Sequence, residues 1–430
     1  MIAVLVIAGV ASLAAFAGLH WYAWRRLVRD TTVRAGLARR AGTAVFVLGP
    51  SLMFAAVASE RAGAPFWLQQ VLSWPGFLWM AFSIYLVLAV LVGEVVRPLL
   101  RRYLDRRSAP GGAEPGPVPE PVLVPTREPD ELPTATTAST PTPTAPEPVT
   151  PSAAADPSRR LFVSRVVGGA AAVAATGIVG NGAYGVLRGP RVKRVTVPLA
   201  RLPRSAHGFR IAVVSDIHLG PVLGRGFAQR VVDTINSTQP DLIAVVGDLV
   251  DGSVEDLAPA VAPLAGLRAR HGTYFVTGNH EYFSGAEPWV EHVREIGLRP
   301  LENARVEMGT FDLAGVNDVT GENYGDGPDY DKALGDRDPA RAAVLLAHQP
   351  VMIHEAVKHG VDLQLSGHTH GGQLWPGNFI ADAANPTLAG LERYGDTQLY
   401  VSRGAGAWGP PVRVGAPSDI TVVELASKRA

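Results

Sequence analysis

Long apolar runs occupy roughly the first 190 positions and short ones the remainder. Residues 2–24 form an apolar stretch of bilayer-spanning length, closed by His20-Trp21-Tyr22-Ala23-Trp24, whose aromatics suit a membrane interface. A second stretch covers about 42–59 and contains Pro50, and a third runs from about Phe77 to Val96. Arg25, Arg26, Arg29, Arg34, Arg39 and Arg40 follow the first run; Arg97, Arg101, Arg102, Arg106 and Arg107 follow the third. Arginine-rich flanks stay on the cytoplasmic side. Residues 1–107 therefore read as an all-α membrane region of three transmembrane helices, starting outside and returning to the cytoplasm.

From 108 to 158 the composition turns to Pro, Ala, Thr, Glu and Gly, as in Pro141-Thr142-Pro143-Thr144-Ala145-Pro146. Such a segment has too little apolar surface to offset the entropy of folding and predicts an extended, disordered linker. Ser158-Arg159-Arg160-Leu161-Phe162 then precedes a Gly/Ala/Val run from Val166 to Val186. Over 159–188 two readings stand. One is a fourth transmembrane helix with a positive flank; the other is a twin-arginine-like signal anchor that could be cut near Gly182-Ala183-Tyr184-Gly185. Both send residues 191–430 across the cytoplasmic membrane, after a multi-pass region.

After about Arg191 the pattern becomes short apolar runs alternating with amphipathic stretches. Ile211–Val214, Asp241–Val246, Thr273–Thr277, Ala342–Leu346 and Val361–Leu365 predict strands; 225–237, 255–270, 287–296 and 350–359 predict helices. This alternation predicts an α/β domain with a largely parallel core, the five strands side by side. Later strands near 311–316, 397–402 and 419–425 suggest a second sheet. The acidic, Gly-rich stretch Asp318–Asp338 reads as a loop over the site.

Composition narrows the chemistry. Net charge is zero, so no basic excess points to nucleic acid, and charged residues are only 18% against 47% hydrophobic. The absence of cysteine excludes disulfides, thiolate nucleophiles and Cys-ligated zinc or iron–sulfur sites. Any metal must be held by His, Asp, Glu or Asn. The five predicted strands end in such residues. Ile211–Val214 runs into Asp216 and His218, which at positions i and i+2 of a strand end project on one side. The others deliver Asp248, Asn279 with His280, His348, and His368 with His370. Parallel strands gather their carboxyl ends at one edge, where α/β proteins place their ligands. So many hard or borderline ligands suit two divalent ions rather than one.

The block order Asp-x-His, Gly-Asp, Gly-Asn-His-Glu, His, Gly-His-x-His, over about residues 208–425, resembles that of the calcineurin-like metallophosphoesterases. Ser-Asp-Ile-His-Leu-Gly, Gly-His-Thr-His-Gly-Gly-Gln and Gly-Pro-Pro-Val-Arg look like the bacterial membrane-associated phosphodiesterase branch. The resemblance implies a four-layer α/β/β/α sandwich with a dinuclear site at one edge. It implies that Asp216, His218 and His370 hold one metal, that Asn279, His348 and His368 hold the other, and that Asp248 bridges both. His280, not a ligand, would protonate the leaving oxygen or steady the phosphorane, and Asp251 would orient His280. His/Asp/Asn sites accept Mn, Fe, Zn or Co. Two such ions about 3.5–4 Å apart generate a hydroxide nucleophile and clamp phosphate oxygens.

The expected function is hydrolysis of phosphodiesters, with lipid headgroups or envelope polymers as substrates. A phosphomonoesterase acting on nucleotides or phosphoprotein, and a non-catalytic binding module of the same fold, are the alternatives. Trp375, Trp408, Arg393, Arg403 and Arg413 are expected to line a substrate wall or pack beside it.

Overall fold

A computed structural model describes residues 2–33, 35–108 and 157–428. The segment expected to be a disordered linker lies, over 109–156, outside the described residues, as does Arg34. Four helices precede the α/β unit: α1 (Ile2–Trp24), continued by a π-helical turn Arg25–Arg29, then α2 (Leu37–Arg61), α3 (Phe66–Ser108) and α4 (Pro157–Leu187). Among the described residues these four are long and apolar enough to cross a membrane. With its 43 residues α3 measures about 65 Å at 1.5 Å per residue, twice a hydrocarbon core of about 30 Å.

The arginine-bearing ends of the helices meet. Arg26 reaches Glu94 at 2.6 Å and Asp30 at 3.1 Å, Arg97 reaches Glu94 at 2.8 Å, and Arg165 donates to the Thr31 carbonyl at 3.0 Å. The α/β unit sits at the other end of the bundle. Phe66 packs on its core, and Gly182 of α4 lies against Val412, Arg413 and Val414.

The remaining elements follow in chain order. They are β1 (Arg191–Leu199), β2 (Phe209–Val214), α5 (Arg225–Ser237), β3 (Leu242–Val246), α6 (Val254–Val261) and β4 (Thr273–Val276). Next come α7 (Asn279–Ser284), α8 (Ala286–Glu295), β5 (Arg299–Pro300), β6 (Ala304–Glu307), β7 (Phe311–Gly315) and α9 (Tyr330–Leu334). The last are β8 (Ala342–Leu346), α10 (Ile353–Lys358), β9 (Leu363–Ser366), α11 (Gly377–Ala384), β10 (Gly390–Tyr394), β11 (Thr397–Val401) and β12 (Asp419–Ser427). They build two six-stranded sheets, ordered β1-β12-β2-β3-β4-β5 and β10-β11-β9-β8-β7-β6.

The inner faces of the two sheets share one core, in which Ile211, Ala244 and Tyr274 meet Leu313, Val344, Leu365 and Tyr400. On the outer face of the first sheet, Phe227, Val231, Leu257 and Trp289 of the helices cover Ala212, Val245 and Phe275. Tyr330, Leu334, Ile353 and Ala356 cover the second. The result is the expected four-layer α/β/β/α arrangement.

Sheet membership differs from the sequence reading in three places. The strands at 342–346 and 363–366 stand in the second sheet, beside β7, rather than next to β4. The strand ending the chain joins the first sheet, antiparallel to β2 and parallel to β1. β1 itself has no counterpart among the predicted strands. Local pattern marks a run as buried and extended; which sheet it enters is decided by the long connections between runs. The stretch 318–338 is not an open loop. Asp318 is buried and caps a 3₁₀ turn, and α9 buries Tyr330, Ala333 and Leu334.

Candidate metal centre

Five strand ends from both sheets meet at one edge; β4 runs into α7, and those of β2, β3 and β9 continue in left-handed turns rather than a pleat. Asp216, His218, Asp248, His368 and His370 all have left-handed backbones, with φ of 51, 49, 54, 72 and 52°. This conformation costs a non-glycine residue about 1–2 kcal/mol. Five such residues at one edge mark a site where strain serves geometry. The convergence of Asp216 and His218 therefore comes from paired left-handed turns, not from strand alternation.

Glycines let these turns crowd together. A Cβ on Gly278 would stand 2.6 Å from the Asp248 amide nitrogen and press on its carboxylate. Buried Glu281 locks the same corner, accepting from the backbone N–H of Gly278, Asp248 and Leu249 at 2.6, 2.9 and 2.7 Å. The sequence reading gave Glu281 no role. Its signal was the Gly-x-x-Glu spacing, which places a carboxylate at the third position of a helix to reach back to the first amides.

The side chains form three overlapping groups, each with ligand atoms within 4.8 Å: Asp216, His218 and His370; Asp248, His348 and His368; His218, Asp251 and His280. Within the first, His370 Nε2 lies 3.0 Å from His218 Nε2 and 3.4 Å from Asp216 Oδ1. Asp248 links the first two, its Oδ2 standing 3.7 Å from His218 Nε2 and 3.1 Å from His348 Nε2. Asn279 joins the second group through its Oδ1, 2.9 Å from His368 Nδ1. All seven predicted ligand residues are thus brought together.

Outer partners set the tautomers. His218 Nδ1 faces the Asp251 carboxylate at 3.0 Å and His348 Nδ1 faces the Val246 carbonyl at 2.9 Å; both contacts require N–H at Nδ1. The Nε2 lone pairs then point inward. His348 Nε2 is buried without a hydrogen-bond partner although a carboxylate oxygen is 3.1 Å away. A lone pair aimed at a carboxylate in a dry pocket calls for a proton or a cation between them, so these donors fit divalent metal.

Burial would pull His348 down, yet Asp248 holds it well above the ordinary imidazole range. Against burial, His348, His280 and His218 hold Asp248 well below the ordinary carboxylate range. Burial keeps His370 well below the imidazole range, with His218 and Arg413 adding to it. The buried Arg413 guanidinium backs that ring, donating to the His370 carbonyl at 3.0 Å.

Asp251 lies between two imidazoles, 3.0 Å from His218 Nδ1 and 2.6 Å from His280 Nδ1. Against burial it pushes His280 up to about 9. The His280 backbone N–H also donates to Asp248 Oδ1 at 2.9 Å. Phe283 and Trp408 flank the His280 ring at 5.5 and 5.6 Å. Of the other residues expected at a substrate wall, Arg393 binds Gly395 and Asp396 of its own hairpin.

Residues 209–372 match the calcineurin-like phosphoesterase family. A metallophosphoesterase of Helicobacter pylori (strain J99) is 37% identical over 275 residues, 63% of this chain and 74% of that protein. The chain belongs to the calcineurin-like metallophosphoesterase family. A Bacillus subtilis metallophosphoesterase is 30% identical over 287 residues, covering 63% of this chain and 98% of its own length. A transmembrane protein with metallophosphoesterase domain from Bos taurus is 41% identical over 253 residues, 55% of this chain and 57% of that protein. Calcineurin-like metallophosphoesterases typically bind divalent metals, in keeping with the donor groups at this edge.

Proposed function

We propose that the chain is a membrane-anchored phosphodiesterase with a dinuclear metal site, working outside the cytoplasmic membrane on lipid headgroups or envelope polymers. The observation that carries this reading is the overlap of two ligand groups, Asp216/His218/His370 and Asp248/His348/His368, through one carboxylate. Asp216, His218 and His370 would hold one ion and Asn279, His348 and His368 the other, with Asp248 placed to serve both. Ions bound there would supply Lewis acidity, which activates water and offsets charge on the phosphoryl oxygens.

The chain's own groups do the rest. Asp251 holds His280 at Nδ1 and keeps it protonated at neutral pH, so Nε2 can give a proton to the leaving oxygen. A diester has two organic arms, and the Phe283 and Trp408 rings beside His280 supply an apolar wall for the departing one. The arginine-rich ends of the helices, gathered opposite the α/β unit, support an extracytoplasmic domain. The full chain in lipid nanodiscs, loaded with Mn, Fe, Zn or Co, is expected to hydrolyse bis-p-nitrophenyl phosphate in preference to p-nitrophenyl phosphate. Preference for the monoester would point to a phosphomonoesterase. A metal-free chain active on neither would leave a binding module.

A further inference from the structure

Beside the turn at the edge of the metal cleft lies α11. It follows the turn that carries His370, and Gly372 of that turn rests on Asn378. On its other side, Leu374 packs with Val414 onto an apolar cluster of Ala81, Tyr85, Ala175, Val179 and Val412. Val414, which pairs with Leu374, stands against Gly182 of α4, five positions before the end of that helix at Leu187, about 7.5 Å down it at 1.5 Å per residue. The chain at 374 is therefore seated beside the spanning segment, not above it.

At that level α11 buries none of its residues. Trp375, Phe379 and Ile380 are 48, 64 and 77% exposed. Helical spacing places Phe379 and Ala383 in one row with Ile380 and Ala384 beside it, and Asn378 and Asp382 opposite, while Trp375 stands just before the helix. Apolar side chains with a Trp at the edge, continuous with a membrane bundle and carrying the single charge Asp382, are the pattern of a helix lying in the lipid interface.

We propose that Trp375–Ala384 is an interfacial anchor, immersed in the leaflet on the side of the α/β unit, that holds the mouth of the metal cleft at the level of the lipid phosphates. This rests on the membrane-anchored phosphoesterase reading and gives it a substrate source: phosphoesters presented by the bilayer rather than dissolved ones.

The chain has no cysteine, so single probes are direct. NBD is attached to Phe379→Cys or Ile380→Cys, with Val173→Cys as lipid-facing control and Asp336→Cys as water-facing control. The full chain is placed in phosphatidylcholine/phosphatidylglycerol vesicles containing doxyl phospholipid. The α11 labels are expected to shift to the blue and to be quenched nearly as strongly as Val173. Quenching as weak as at Asp336 overturns the proposal, whether the label meets water, a second copy or another protein.

In a second arm, Phe379→Asp with Ile380→Asp should leave bis-p-nitrophenyl phosphate turnover within about twofold and lower hydrolysis of a vesicle-embedded phosphodiester about tenfold or more. Equal effects on the two substrates overturn the positioning role. A metal-loaded wild type that hydrolyses neither substrate defeats the phosphoesterase reading, and the quenching arm still decides the anchor.

Discussion

Roles separate at the level of single side chains because each group touches different things. His280 meets Asp251 and Asp248 but stands outside the two ligand groups that share Asp248, so His280→Ala should keep its metal and lose about 10²–10⁴ in kcat. Asp248→Ala should lose both. Metal analysis of the two purified variants decides, and equal metal loss would remove the role given to His280. The Asp251 carboxylate raises His280 to about 9, so the proton donor is intact below that pH and is lost as pH rises through it. The alkaline limb of kcat/KM is expected no higher than pH about 9, with bound cations pulling it lower. Asp251→Asn should move the limb toward the ordinary imidazole range. Because Asp251 also orients His218, metal affinity should fall about 10–100-fold, so the profile is taken at saturating metal. An unmoved limb would mean that another group titrates.

On the scale of elements, strand-end turns make the site, and their close approach is its weak point. Gly278→Ala drives a methyl group into the Asp248 corner, so metal content and activity should collapse while far-ultraviolet circular dichroism stays native. A variant that retains metal would show that this corner can relax. The turns were only partly legible beforehand. Apolar runs such as Ile211–Val214 and Ala342–Leu346 announced strands ending in ligands, because burial and β-branched content are local properties. That Asp216 and His218 turn through left-handed conformations was not readable, since the room for Asp216 depends on distant neighbours, Gly367 and Gly404, where any Cβ would strike its side chain.

For the molecule as a whole, metal is expected to stabilise the α/β unit because the apo site aligns lone pairs and carboxylates in a dry pocket. Free ion at about 100 times its Kd adds roughly 2.7 kcal/mol. For a unit of this size that corresponds to a Tm loss of about 5–10 °C on chelation. Scanning fluorimetry with and without chelator checks it, and an unchanged Tm would mean that the site was empty to begin with. Sidedness has an equally direct test. Asp336→Cys, far from the arginine-rich helix ends, should react with a membrane-impermeant maleimide in intact cells. Protection from it would reverse the assigned orientation.

What the sequence by itself determined was the inventory and its order: apolar runs long enough to span a bilayer, arginines at their ends, and seven ligands at the ends of buried runs. These follow from period, length and residue chemistry, which act over a few neighbours. Only the tertiary structure decided that two sheets rather than one deliver the candidate ligands, that Asp251 serves two histidines and Glu281 three amides, and that α11 buries none of its residues. Those facts arise where separate segments are pressed together, 33 positions apart for His218 and Asp251 and 152 for His218 and His370, and no local pattern encodes which ones will meet.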